Sequence, residues 1–242
     1  MRNNSLITIC ARGGSKGIPN KNIVKVGKYP LIAYTIKFAE ILKRKLNCDI
    51  ILSTDDKEIK NVSSKFNLTT EYTRPNKLGN DTIGKVEVIR DALAYMQTKS
   101  KVQYDYVIDL DVTSPLRTMD DLMKAFDILE KDKDSNNIFS VSDPVHNPYF
   151  DIVEKKGNGY FDLVKNIGEY YSRQTSPEVY ELNASFYIFK KRFFDLNYQT
   201  QITPKSLVFK MEHICFEIDS QIEMEFLSFL IEKNKVSNIL NY

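Results

Sequence analysis

The distribution of apolar positions predicts alternating strands and helices over the first half of the chain. Leu6-Ile7-Thr8-Ile9-Cys10 is a short apolar run closed by Ala11-Arg12-Gly13-Gly14, which reads as a buried strand feeding a glycine turn. Pro30 then opens residues 31–46, where Leu31, Tyr34, Ile36, Phe38, Ile41, Leu42 and Leu46 recur at mostly helical spacing. Residues 49–53 form a second strand, and Thr54-Asp55-Asp56 supplies a cap for a helix over residues 57–66. Residues 68–72 read as a third, shorter strand. A polar loop, residues 74–84, precedes a helix over 85–97. Residues 106–110 are another buried strand, followed by Thr113-Ser114-Pro115 and a helix over 119–131.

Strands and helices alternating in this way build a parallel sheet with helices on both faces. Beyond residue 137 the pattern changes. Residues 138–141 are a strand, and residues 151–153 and 160–164 flank Lys155-Lys156-Gly157-Asn158-Gly159, a hairpin signal. Further strands are predicted at 184–189 and 214–218, and an amphipathic helix at 222–235. The expected fold class is α/β, a Rossmann-like, mostly parallel sheet in one domain over residues 1–242. It carries a β-rich insertion at about 142–190.

Composition narrows the functional classes. The 242 residues are 42% hydrophobic, enough to bury a sizeable core. No apolar run approaches the roughly 20 residues of a membrane span, and no signal-peptide pattern is visible, so a cytoplasmic protein is expected. Cys10, Cys48 and Cys215 form no disulfide framework and no zinc spacing. His146 and His213 share no metal spacing and are read as structural or surface residues. The net charge of +2 hides an asymmetry. Residues 1–39 hold seven Lys or Arg and no acid, whereas residues 40–242 hold 27 basic against 32 acidic residues. A basic segment on a slightly acidic body suits a localised anion, and a small polyphosphate fits better than nucleic acid.

The chemistry concentrates after the first strand, in Arg12-Gly13-Gly14-Ser15-Lys16-Gly17-Ile18-Pro19-Asn20-Lys21-Asn22. Glycines let backbone amides turn toward an anion, and Arg12, Lys16 and Lys21 add positive charge. The loop fits neither the phosphate-loop nor the dinucleotide glycine pattern. With Ile9-Cys10-Ala11 before it, the loop resembles the first motif of the acylneuraminate cytidylyltransferases, the CMP-sialic and CMP-legionaminic acid synthetases. Later segments match in order: Arg74-Pro75 with Asn80-Asp81-Thr82, Thr113-Ser114-Pro115-Leu116-Arg117, Arg173-Gln174 with Asn183-Ala184-Ser185-Phe186-Tyr187, and Glu217-Ile218-Asp219.

The resemblance implies a nucleotide-diphospho-sugar transferase, GT-A-like fold and a reaction of CTP with a nonulosonic acid, giving a CMP-sugar and pyrophosphate. It implies nucleotide binding by Arg12, Gly14, Ser15, Lys16, Lys21, Asn22, Arg74, Asn80 and Thr82. It implies sugar binding by Asp111, Arg173, Gln174, Asn183 and Tyr187; Tyr187, on an alternating strand, reads equally as core. Catalysis falls to Lys21, Arg173 and Asp219, with Mg²⁺ on Asp219 and Glu217. A homodimer is expected, its insertion serving the interface. The family commonly carries Gln where this chain has Asp111, so the identity of the sugar stays open. Asp109-Leu110-Asp111 supports a rival reading, a nucleotide-sugar glycosyltransferase holding a metal on paired carboxylates. Nucleotidyl transfer to a different sugar acid is a second rival, and a catalytically silent CTP-binding subunit is a third.

Overall fold

The computed structural model describes residues 4–15, 17–80 and 83–240. Its centre is a six-stranded sheet built from β1 (Ser5–Cys10), β4 (Asp49–Ser53), β5 (Tyr106–Leu110), β6 (Asn137–Ser142), β9 (Glu181–Lys190) and β10 (Ser206–Lys210). The spatial order is β10-β6-β9-β5-β1-β4. Neighbours run parallel except β9, which is antiparallel to both β5 and β6. Six helices accompany it: α1 (Leu31–Leu46), α2 (Lys57–Ser64), α3 (Lys85–Ser100), α4 (Met119–Lys131), α5 (Lys191–Asp195) and α6 (Gln221–Glu232). Two small hairpins, β2–β3 (Lys25–Val26, Tyr29–Pro30) and β7–β8 (Val153–Lys155, Phe161–Leu163), stand apart from the sheet.

Strand alternation divides the core in two. On β1, Ile7 and Ile9 join the larger cluster with α1, α4 and α6, whereas Leu6 joins a smaller one with α3 and α5. On β5, Ile108 and Leu110 face the larger cluster and Val107 the smaller. The same period of two carries Thr8 and Asp109, which are directly paired, to the α3 side of the sheet. Both are fully buried, and the Thr8 hydroxyl donates to Asp109 Oδ1 at 2.7 Å. Polar residues inside these apolar strands thus converge near the strands' carboxyl ends, under the start of α3.

Three sequence expectations are corrected. Residues 68–72 form no strand. Leu68 is buried in one cluster and Tyr72 in the other, so the segment crosses beside the edge strand β4 as coil, and its apolar spacing reflects packing on two faces. Residues 214–218 are also coil. Ile218 is fully buried there, and its N–H donates to Thr113 O at 2.8 Å, which ties the segment to the loop after β5 instead of to a sheet. The other edge of the sheet is β10, beside β6, a strand the sequence reading did not predict. The insertion ends before β9, because Glu181–Lys190 is an inner strand of the main sheet; the segment outside the sheet is 143–180. The capping expectation holds: Asp56 Oδ1 accepts from Glu58 N at 2.6 Å and Ile59 N at 3.1 Å.

A half-buried ion pair secures the last loop to the fold. His213 Nε2 lies 2.8 Å from Asp121 Oδ2, and Asp121 also closes the capping box of α4 with Thr118. The bond to Asp121 raises the His213 pKa against the opposing effect of burial. For Asp121, burial works to raise the pKa, but the His213 and Thr118 bonds prevail and lower it. Stability contributed by a raised histidine is present below its ordinary value near 6.5 and lost as pH rises through the folded value. Stability from a depressed carboxylate is present above its ordinary value of 3.8 and lost as pH falls through the folded value. We therefore expect His213→Gln to destabilise the protein most between about pH 4 and 6.5. Thermal melts across pH check this, and a pH-independent difference between the two proteins contradicts it.

Candidate active site

An open cleft of about 410 Å³ lies at the carboxyl ends of β1, β4 and β5, where open α/β sheets hold ligands. One wall is the loop after β1. Ala11 N–H donates to Ser53 O at 3.0 Å and Gly13 N–H to Asp55 Oδ1 at 2.9 Å, so the loop is pinned to the end of β4. Gly14 takes a φ of 67°, where glycine is at ease and most residues are strained. Asn22 is buried and donates from Nδ2 to Arg12 O at 2.9 Å, holding the loop closed on itself. Arg12, Ser15, Gly17, Lys21 and Asn22 line the cleft.

The opposite wall is the coil carrying Glu217 and Asp219. Lys21 Nζ spans the two walls, donating to Ile218 O at 2.8 Å and Asp219 Oδ1 at 2.9 Å. At Gly17 the walls meet so closely that an added Cβ would lie 2.4 Å from Asp219 O. That contact is with backbone, so Gly17→Ala must push the walls apart. We expect it to lower turnover about tenfold with little change in melting temperature, since Gly17 and Asp219 are themselves exposed. Steady-state kinetics beside a thermal melt test this, and unaltered turnover contradicts it.

Arg74 is 4% exposed and its guanidinium grips the end of β4, with Nε donating to Ser53 Oγ at 3.1 Å and Nη2 to Ser53 O at 2.8 Å. Next to it the cleft is lined by Asn80 and by the apolar Cys10, Leu78, Ile83 and Val88. Asn80 Oδ1 accepts from Ile83 N–H at 3.1 Å. This basic and apolar end contrasts with an acidic end formed by Asp111, Thr113, Glu217 and Asp219.

Between the two ends sits Lys85, the first residue of α3. Its ammonium lies 3.2 Å from Asp109 Oδ2, pairs with Asp111 Oδ2, and stands 4.9 Å from the centre of the Tyr187 ring. Burial works against its charge, yet Asp111 and Asp109 outweigh burial and hold its pKa well above the ordinary value. For Asp111 burial likewise opposes the charge, and Lys85 with Thr113 nevertheless lowers the pKa. Asp111 Oδ1 accepts from both Thr113 N–H and Thr113 Oγ1, each at 2.8 Å. Glu217 accepts from Thr113 Oγ1 at 3.2 Å, and burial, with Asp111 and Asp219 nearby, raises its pKa.

The structure brings Arg12, Ser15, Lys21, Asn22, Arg74, Asn80, Asp111, Glu217 and Asp219 into this one cleft. Gly14 shapes its rim. Lys16 and Thr82 lie outside the described residues. Asn183 and Tyr187 do not line the cleft. Asn183 is 4% exposed and clamps an irregularity between β6 and β9, accepting from Ser140 Oγ at 2.6 Å and donating to Ser142 Oγ at 2.9 Å. Tyr187 is 4% exposed in the smaller core cluster, stacked on Phe189, and burial pushes its hydroxyl up to about 12. Arg173 and Gln174 are exposed on the 143–180 segment, with Arg173 Nη2 donating to Val145 O at 3.2 Å. Sequence reading missed Lys85. The available signal was Asp109, an acid inside an apolar strand, which demands a buried cation.

Paired carboxylates as a metal site need revision at one place. Asp109 and Asp111 are both held by the Lys85 ammonium, which occupies the position that the glycosyltransferase reading gives to an ion. Glu217 and Asp219 flank the buried Ile218 and offer hard oxygens to the cleft. Among the described residues no three acids, histidines or cysteines converge to hold an ion alone. The donor set therefore fits a cation that draws its other oxygens from ligand phosphates and water, as Mg²⁺ commonly does. Among the described residues no helix is long and apolar enough to cross a membrane.

Comparison with known proteins agrees with this geometry. The chain matches the Cytidylyltransferase family over residues 6–239. It is 38% identical over 230 residues to the post-translational flagellin modification protein B of Campylobacter coli, covering 95% of this chain and 96% of that one. It is 37% identical over 232 residues to the CMP-N,N'-diacetyllegionaminic acid synthase of Campylobacter jejuni, covering 96% and 97%. In fold it is similar to a CMP:2-keto-3-deoxy-manno-octonic acid synthetase solved with CTP, with a TM-score of 0.69 at 16% identity, over 96% of this chain and 99% of that one. A cleft with a basic glycine loop on one wall and carboxylates on the facing wall, in a chain that matches over residues 6–239, identifies the protein as a nucleotidyltransferase of the cytidylyltransferase family.

Proposed function

We propose that the protein joins CTP to a legionaminic-acid-type nonulosonic acid, giving the CMP-sugar and pyrophosphate. The observation that carries this reading is the single cleft with a cationic glycine loop on one wall, an apolar and amide-lined side, and carboxylates on the facing wall. Near full-length similarity to a diacetyllegionaminic acid synthase supports the choice of sugar. The sugar's anomeric hydroxyl attacks the α-phosphorus and loses its proton, and the bond from that phosphorus to the bridging oxygen of pyrophosphate breaks. Catalysis then consists of positioning and charge neutralisation.

In this assignment Arg12, Gly14, Ser15, Lys16 and Lys21 bind the triphosphate, and Asn22 keeps the loop in shape. Arg74, Asn80 and Thr82 surround the nucleoside. Asp219, assisted by Glu217, would hold Mg²⁺, which supplies further positive charge to the phosphates. Asp111 lies at the sugar end. Arg173 and Gln174 serve the sugar from the extended segment of a second copy in a homodimer. Tyr160, Phe161 and Tyr171, which are 76%, 66% and 82% exposed on that segment, support an interface there.

The test is pyrophosphate release from CTP with Mg²⁺ and a panel of N-acetylneuraminate, diacetyllegionaminate and pseudaminate, with UTP, GTP and ATP as controls. Release that requires CTP and diacetyllegionaminate is the expected result. Binding of CTP without release for any sugar overturns the reading.

A further inference from the structure

We propose that Lys85 is a specificity-determining residue of this cleft: it donates a hydrogen bond to a neutral acceptor oxygen of the sugar, and Asp111 is its positioning residue. This inference rests on the cytidylyltransferase reading given above. The sequence draws attention to Asp111, but in the structure both its oxygens are engaged, Oδ1 by two groups of Thr113 and Oδ2 by Lys85. It therefore has little capacity left to read a ligand. Lys85 has capacity. An ammonium offers three donors. Two directions are taken by Asp111 and Asp109, while the side chain remains 25% exposed where it lines the cleft.

The surroundings fix what that donor can meet. Asp109 is fully buried and held by Thr8, so it anchors the ammonium from below. The buried face of Tyr187 supports the same cation from the side. A flexible four-carbon side chain is thereby held to one place, which is what selective recognition requires of a lysine. The two carboxylates already offset the ammonium, so the cluster offers no net attraction to a carboxylate or phosphate. An acyl carbonyl or a hydroxyl oxygen needs none, and it accepts the free N–H. Lys85 thus belongs with sugar recognition, while Arg12 and Lys21, across the cleft, meet the phosphates.

The experiment measures KM for each substrate separately in the full-length enzyme, by pyrophosphate release. Lys85→Met keeps the stem and removes the donors. We expect the sugar KM to rise about tenfold, the loss typical of one hydrogen bond, with the CTP KM within twofold of wild type. Because this change leaves Asp109 and Asp111 without a cation, the Lys85→Met/Asp111→Leu double variant removes the paired carboxylate as well; it should show the same selective loss and a higher melting temperature than the single variant. Asp111→Asn should raise the sugar KM by a smaller factor than Lys85→Met does. Sugars bearing hydroxyls in place of N-acyl groups then distinguish the two acceptors: an acyl carbonyl predicts that Lys85→Met makes little difference with them. Equal changes in both KM values, or no change in either, overturn the proposal while wild-type turnover stands. Failure of the wild-type enzyme itself to turn over CTP with any sugar removes the functional reading and this inference together.

Discussion

Lys21→Met is expected to lower kcat for pyrophosphate release by roughly 10²- to 10³-fold, the usual loss when one preorganised donor to developing charge is removed. The size follows from where Lys21 stands. Its side chain is 13% exposed, and its ammonium is held by Ile218 O and by Asp219 Oδ1, at 2.8 and 2.9 Å. One cation thus fixes the carboxylate wall and faces the part of the cleft assigned above to the triphosphate. Methionine keeps the stem and its packing but gives up both functions, so Asp219 also loses its anchor. The effect should fall on kcat more than on the sugar KM, because in the proposed reaction the charge given to Lys21 to neutralise grows as the bond to pyrophosphate breaks. Lys21→Arg retains the charge but places a planar fork where a compact ammonium bridges two oxygens, and should recover only part of the rate. A loss smaller than tenfold in Lys21→Met would contradict the role given to Lys21 here. The melting temperature serves as the control, since the residue joins two surface loops and contributes little to the core.

Legibility of the sequence followed the energetics. The strands 5–10, 49–53 and 106–110 and the helices 31–46 and 119–131 could be read directly, because each buries a continuous apolar face whose period survives in the structure. Residues 68–72 and 214–218 have the same local composition but bury single side chains into existing clusters, so their spacing reports packing without a ladder. β10 was missed for the opposite reason: as an edge strand it is only half-buried, and Ser206-Leu207-Val208-Phe209-Lys210 has no strict alternation to mark it. In the cleft, the glycine loop and the acids were visible because their chemistry is local. Lys85 was not, because its meaning depends on Asp109, 24 positions later and on a different element. Asn183 and Tyr187 show the converse. Asn183, which the resemblance gives to the sugar, clamps an irregular strand pairing, and Tyr187, read equally as a sugar contact or as core, lies in the smaller core cluster.

Arg117→Met should lower the stability of the fold by about 3 kcal/mol, the loss of charge-assisted hydrogen bonds partly offset by the recovered desolvation of the guanidinium. Arg117 is fully buried, an unusual position for a group that stays charged at any ordinary pH. Its Nε donates to Ser185 Oγ at 3.1 Å and its Nη2 to Ser114 O at 2.6 Å and to Asp111 O. It lies 5.7 Å from the centre of the Phe38 ring. One side chain therefore fastens the loop after β5 to β9 and packs on α1. Asp111 O and Ser114 O each keep a second donor, Thr35 Oγ1 and Ser185 Oγ, both at 3.0 Å, so the variant is weakened but not left with bare carbonyls. For a chain of this length about 3 kcal/mol corresponds to a melting temperature lower by about 6–12 °C. Arg117→Lys should not restore it, because a single ammonium cannot reach three acceptors in a planar fan. Activity should fall in step, since the same loop carries Asp111, which positions Lys85, and Thr113, which meets Glu217. A melting temperature within about 2 °C of wild type would show that the loop is held by its backbone and by Ser185 alone, and that the buried guanidinium is dispensable to the fold.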